Sequence, residues 1–194
     1  MNFVNNSKKC KRLGLDLDNT VTELDFTLAE MAKFYGKETP SIEDITEFNL
    51  SSIFNITWED SRYFWESHEH YLIENAIVAE TRLSKMLEMF ADKDTEIYII
   101  TNRPEQHYDI TKEWLNRCCI GHKELHVVQG SKAELIGELE LDVMVDDKPD
   151  LFYEALEVKD NYEKYPLMVI VDYEYNKLTP CDVRIDRNGD VMNG

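Results

Sequence analysis

Two aspartates one residue apart, Asp16 and Asp18, close the apolar run "RLGLDLD", and a second acidic pair, Asp146 and Asp147, closes "LDVMVDD" much later in the chain. Between them a hydroxyl, an amide and a guanidinium (Thr101, Asn102, Arg103) follow "TEIYII", and an ammonium (Lys132) follows "ELHVVQGS". Carboxylates brought together repel one another, and a hard divalent cation with oxygen ligands is the usual resolution. Magnesium, Mg2+, is the ion expected. It would offset the carboxylate charge and let an anionic phosphate approach, with Lys132 and the Thr101 hydroxyl holding the phosphate oxygens. One carboxylate then attacks phosphorus while its neighbour two residues on gives a proton to the leaving oxygen.

That chemistry requires four strand ends in one crevice. "RLGLDLD", "TEIYIITN", "ELHVVQG", "LDVMVDD" and "YPLMVIVD" are short apolar runs of the kind buried on both faces of a parallel sheet. Between them lie helical patterns over 105–119, opened by Pro104, over 132–139, capped by Ser131, and over 150–158, opened by Pro149. Alternating strands and helices predict an α/β fold, a three-layer Rossmann-like parallel sheet with helices on both faces. The polar residues would then collect at the carboxyl ends of the strands, where such sheets bind ligands.

The interval after the first strand breaks this rhythm. Helical stretches at 27–35, 41–47, 58–69 and 80–90, with no convincing strand, predict a small helical cap inserted after strand one. The expected division is a core of residues 1–23 and 80–194 and a cap of 24–79. "CDVRIDR" is one further edge strand.

Charge narrows the partners. With 39 acidic against 21 basic residues the chain carries a formal charge of −18, a field that disfavours nucleic acid polymers and anionic membranes. A small anion remains a suitable ligand, and a homodimer is left open. Cys10, Cys118, Cys119 and Cys181 have no zinc-ligand spacing and are expected as reduced thiols. The N-terminal "MNFVNNSKKCKRLG" has no apolar stretch of signal-peptide length, and no segment approaches a membrane span, so a cytoplasmic location is expected.

The set Asp16-x-Asp18-x-Thr20, Thr101 after a strand, Lys132, and Asp146-Asp147 after another strand resembles the four motifs of the haloacid dehalogenase-like (HAD) phosphatases. The resemblance implies that Asp16 is the nucleophile that becomes an aspartyl-phosphate. It makes Asp18 the general acid/base and a magnesium ligand through its carbonyl, and Asp146 a second side-chain ligand. Thr101, Asn102 and Lys132 would bind phosphate, with Thr20 fixing the first turn and Asp147 or Asp150 holding a metal-bound water. "LDLDNTVTE", "IITNRPEQHYDITKEWL" and "DVMVDDKPD" are similar to the blocks of the 5'(3')-deoxyribonucleotidase group and the bacterial nucleotidases grouped with it. That group implies a nucleoside or deoxynucleoside monophosphate as substrate, the alternatives being a sugar phosphate or a binding protein that keeps the fold without turnover. It also leaves Lys112 as a second candidate for the phosphate-binding lysine, and places Leu24 and Phe26 where a base-stacking aromatic would lie.

Other residues admit structural readings as well. Arg103 suits bidentate phosphate contact or a surface ion pair. Asp147 could cap the helix opened by Pro149 instead of serving the metal. Phe64 and Trp65 in "RYFWESHEHY" could line the pocket, although such spacing more often marks the packed face of a helix. His68 and His70, two apart, point to different helix faces and are not expected to share a metal.

Overall fold

A computed structural model describes residues 9–192 of the chain. Six strands, β1 (Arg12–Leu15), β2 (Glu96–Thr101), β3 (Glu124–Val127), β4 (Val143–Asp146), β5 (Leu167–Val171) and β6 (Val183–Ile185), form one sheet in the order β3-β2-β1-β4-β5-β6. Every neighbouring pair is parallel. The chain winds outward from β1 to β3, then crosses back to β4 on the other side of β1. The direction of winding therefore reverses between β1 and β4, the position at which open α/β sheets bind ligands.

The alternation of side chains across the pleat makes the three layers. Leu13, Leu15, Ile99, Val143, Val145, Val169 and Val171 pack on one face with Met86 of α4 (Glu80–Phe90) and Trp114 and Leu115 of α5 (Tyr108–Arg117). Tyr98, Ile100, Met144, Met168 and Ile170 pack on the other with Ala133 and Ile136 of α6 (Ala133–Glu138) and Leu151 and Phe152 of α7 (Pro149–Val158). Gly14 belongs to the second face: a Cβ there would lie 2.6 Å from Leu141 Cδ1 and 2.7 Å from Met144 Sδ, so any larger residue would have to push these two side-chain ends aside. The expectation of burial on both faces fails for β3. It lies at the sheet edge, with Glu124 exposed and its other residues only half-buried.

Between β1 and α4 the chain forms α1 (Leu24–Tyr35), α2 (Leu50–Ile53) and α3 (Trp58–Asn75). Its two connections to the sheet pair with each other: Thr22 and Val78 form an antiparallel bridge, Glu23 N–H donates to Ile77 O at 2.8 Å and Ala79 N–H to Val21 O at 2.9 Å. A capping box starts α3, in which Thr57 Oγ1 accepts from Asp60 N–H at 3.1 Å and the Asp60 carboxylate accepts from Thr57 N–H at 3.4 Å. The helix expected at 41–47 is a single 3-10 turn, Ile42–Asp44, and α2 was not anticipated. The buried anchors Ile42, Ile45, Leu50 and Phe54 explain this, since the five-residue step from Ile45 to Leu50 breaks helical phase. Asn49 then restarts the helix by accepting from Ser51 N–H at 3.0 Å. Among the described residues no helix is long and apolar enough to cross a membrane.

Candidate active site

The turn after β1 sets the first carboxylates. The carbonyl of Leu17 accepts from the N–H groups of Thr20, Val21 and Thr22 at 3.2, 2.8 and 2.9 Å, and Asn19 takes a left-handed conformation with φ 61°. Arg82 of α4 holds this turn from beneath. Its buried guanidinium donates to the carbonyls of Thr20 (2.7 Å), Thr22 (2.8 Å) and Arg187 (2.9 Å), with Glu23 at 3.5 Å. The sequence carried a trace of this role, because Arg82 falls one helical turn before Met86 on the apolar face of α4.

Asp16, Asp146 and Asp147 each bring a carboxylate oxygen within 4.8 Å of the others, and all three are buried. Lys132, itself buried, donates from Nζ to Asp16 Oδ1 at 2.6 Å and to Asp146 Oδ2 at 2.8 Å. Asp146 Oδ1 accepts from Lys148 N–H at 2.8 Å. Asp16 Oδ2 has no hydrogen-bond donor among the described residues. Asp147 accepts from Tyr175 OH, from Asn19 Nδ2 at 3.2 Å and from Thr20 Oγ1 at 3.4 Å, so the tight turn after β1 is tied to the end of β4.

These groups distort one another's titration. Burial pushes the Asp16 carboxyl well above the usual range; Lys132 pulls it down, while Asp146, Asp147 and Asp18 push it up again. Burial and the charge of Asp146 push Asp147 up to about 7 against its bonds from Tyr175 and Asn19. For Lys132, burial opposes the ammonium, but Asp146 and Asp16 outweigh it and raise its pKa. Three buried acids balanced by one ammonium suit a divalent cation with oxygen ligands, and the donor set fits Mg2+.

Asp18 points elsewhere. Its side chain is 54% exposed and is gripped by Arg103, whose Nη2 donates to Oδ1 at 2.7 Å and whose Nε donates to Oδ2 at 2.9 Å. Trp114 lies 5.6 Å from the guanidinium, and Thr111 Oγ1 accepts from Nη1 at 3.4 Å. Thr101 is buried at the end of β2 and accepts from Arg103 N–H at 3.2 Å. Asn102 braces the neighbouring loop, donating to Val128 O at 2.8 Å and Gly130 O at 2.9 Å.

The remaining candidates lie apart from the carboxylate cluster. Lys112 is exposed on α5 and Asp150 is exposed on the first turn of α7. Leu24 is buried at the start of α1, and Phe26 is half-buried with its ring 6.3 Å from Tyr71. Phe64 is fully buried beneath Phe34 and His68, and Trp65 is half-buried beside it. The His70 ring lies 5.9 Å from that of His107.

Two further groups from the helical segment reach the rim. Phe48, 47% exposed, has its ring 5.5 Å from that of Tyr175 and 6.0 Å from Lys148 Nζ, and Lys148 Nζ is 3.5 Å from Asn102 Oδ1. Glu69 of α3 meets His107 Nε2 at 3.2 Å. No periodicity marks either residue, since which face of the segment meets the core depends on how the segment docks.

No family model matches the chain. It is 31% identical over 178 residues to "Putative nucleotidase BH1399" of Halalkalibacterium halodurans, covering 91% of this chain and 87% of that protein. It is 28% identical over 137 residues to "Putative nucleotidase YqfW" of Bacillus subtilis, covering 70% and 69%. A HAD-superfamily hydrolase, subfamily IA, variant 1, from Geobacter sulfurreducens shares the fold with a TM-score of 0.56 at 13% identity, over 95% of this chain and 96% of that one. Acid pairs at the ends of β1 and β4, a lysine between them and this kinship lead to one conclusion: the chain has the fold of the HAD-superfamily hydrolases and belongs to the family of bacterial nucleotidase-named proteins that includes BH1399.

Proposed function

We propose that the protein is a magnesium-dependent phosphomonoesterase working through an aspartyl-phosphate on Asp16, with a nucleoside or deoxynucleoside monophosphate as substrate. The observation that carries this reading is the buried Asp16–Lys132–Asp146 chain of charge-assisted hydrogen bonds, with Asp147 alongside and Asp18 at the rim. Asp16, Asp146 and Asp147 would hold the cation, which supplies charge neutralisation at the carboxylates and the phosphate. Lys132 fixes Asp16 by one oxygen and leaves the other to attack phosphorus. Asp18 gives its proton to the leaving oxygen and then takes one from the water that hydrolyses the acyl phosphate. Both of its oxygens are engaged by Arg103, so this bidentate grip must loosen on one side for Asp18 to carry a proton.

The helical segment, residues 24–79, serves as the cap that keeps bulk water from the acyl phosphate. Phe48, exposed beside Lys148, suits a planar base, and the nucleotidase names of the relatives support that choice over a sugar phosphate. The four free cysteines suit a reducing cytoplasm.

Hydrolysis of an aryl phosphate with Mg2+ tests the chemistry. Wild type is expected to turn over and Asp16→Asn to lose at least about a thousandfold; full activity in Asp16→Asn would remove the nucleophile. A substrate panel tests the leaving group: nucleoside monophosphates should exceed sugar phosphates in kcat/KM, and equal values would remove the nucleotidase assignment.

A further inference from the structure

The loop from Arg103 to His107 carries two charged contacts at once. At one end Arg103 grips Asp18; at the other His107, in the 3-10 turn Glu105–His107, meets Glu69 of α3 at 3.2 Å. Glu69 therefore lands where the helical segment closes on the acid/base. Its position is fixed by α3 docking on α5: Trp114 Nε1 donates to Ala76 O at 3.0 Å and Arg117 donates to Glu74 O. Both members are mostly sheltered, with side-chain exposures of 24% for Glu69 and 13% for His107.

We propose that Glu69, held by His107, is a specificity residue that accepts leaving groups bearing neutral hydrogen-bond donors and rejects those bearing a second negative charge. This rests on reading the site as a phosphomonoesterase. Asp16, Asp146 and Asp147 face the phosphoryl side, where Lys132 and a cation compensate them. On the leaving-group side two carboxyl groups, Asp18 and Glu69, share the one Arg103 cation, so whenever both are ionised one negative charge stands uncompensated. A hydroxyl there finds an acceptor, whereas a carboxylate or second phosphate meets a like charge in a site partly screened from water. Burial first, then the negative charge of Asp18, pushes Glu69 up to about 7 against the pull of Arg103. The three groups thus share one field. Burial, His70 and Arg103 hold His107 below its usual range, so above neutral pH it is a neutral imidazole that leaves the Glu69 charge standing.

The test uses glycerol 3-phosphate and 3-phosphoglycerate, which differ chiefly by a hydroxymethyl against a carboxylate. Dissociation constants are measured with Mg2+ at about one pH unit above neutrality, in an Asp16→Asn background so that binding is read without turnover. Glu69→Gln keeps a hydrogen-bonding group for His107 and is expected to shift the ratio about tenfold toward 3-phosphoglycerate. Glu66→Gln, on the same helix but solvent-exposed beside Arg62, removes the same formal charge and should leave the ratio within about twofold. An unchanged ratio in Glu69→Gln or an equal shift in Glu66→Gln would overturn the proposal. Lack of aryl phosphate turnover by wild type would instead remove the phosphatase reading while the binding ratio still decides the role of Glu69.

Discussion

Replacing Lys132 by Met removes the one ammonium that holds Asp16 and Asp146 together while keeping most of the unbranched side chain. Both bonds, at 2.6 and 2.8 Å, are charge-assisted and buried, and breaking a buried ion pair by deleting one partner costs about 3–5 kcal/mol because the other charge is stranded. For a chain of 194 residues, at about 2–4 °C per kcal/mol, Tm should fall by roughly 6–20 °C in chelator at neutral pH. The pH dependence has a definite sign. A carboxyl raised in the folded state loses stability as pH climbs from its unfolded value toward its folded one, which for Asp147 spans from the ordinary carboxylate range to about 7. The raised Lys132 pKa has the same sign in a higher window: its contribution is fully present below the ordinary lysine value and is lost only as pH rises above it. Lowering pH from neutral toward 5 should therefore narrow the gap between wild type and Lys132→Met, since protonated acids no longer need the ammonium. Added Mg2+ should raise the variant's Tm more than wild type's, because the cation then compensates carboxylates that nothing else does. Thermal denaturation by circular dichroism with chelator and with Mg2+ reads all three effects. A loss under about 1 kcal/mol, or an equal loss in the exposed Lys112→Met, would refute the assignment of Lys132 to the carboxylate cluster.

Two more perturbations probe the rim. Arg103→Met frees Asp18 from its bidentate grip, and kcat should fall about tenfold to a hundredfold on an alkyl phosphate but much less on an aryl phosphate, whose leaving group needs little protonation; equal losses on both would mean that Arg103 does not act through Asp18. Phe48→Ala should lower kcat/KM for nucleoside monophosphates by about tenfold, the scale of one stacked base, and leave small alkyl phosphates nearly unchanged, with steady-state kinetics on the two substrate classes as the check.

The carboxylates were legible because topology does most of the work of placing them. In a parallel sheet every strand runs the same way, so a polar residue just past each apolar run arrives at the same edge whatever the intervening helices do. Asp16 follows β1, Thr101 and Asp146 end β2 and β4, and the reversal of winding between β1 and β4 brings the two acidic ends side by side. Lys132 needed more, since it follows the edge strand β3 and sequence alone left Lys112 beside it as a rival. The difference lies in direction: Lys132 immediately precedes α6 and reaches inward, while Lys112 is on the exposed side of α5.

For residues 24–79 no such rule applies, so the pattern of residues marks Phe64 and Trp65 but carries no sign of Glu69 or Phe48. Aromatic spacing reports which face of a helix is packed, and Phe64 is packed, but against Phe34 and His68 within the helical segment itself. The face that meets the crevice is chosen by distant contacts: the Thr22–Val78 pairing, the Trp114 bond to Ala76, and Arg82 gripping the turn on which Asp18 rides. None of these joins residues close enough in sequence to leave a periodic trace. The same contacts make the rim mechanically continuous with Asp18, because the loop from Arg103 to His107 touches Asp18 at one end and Glu69 at the other. In the proposed mechanism, a movement of Glu69 at the rim would reach Asp18 through one short stretch of backbone, so selection of the leaving group and its protonation would be coupled.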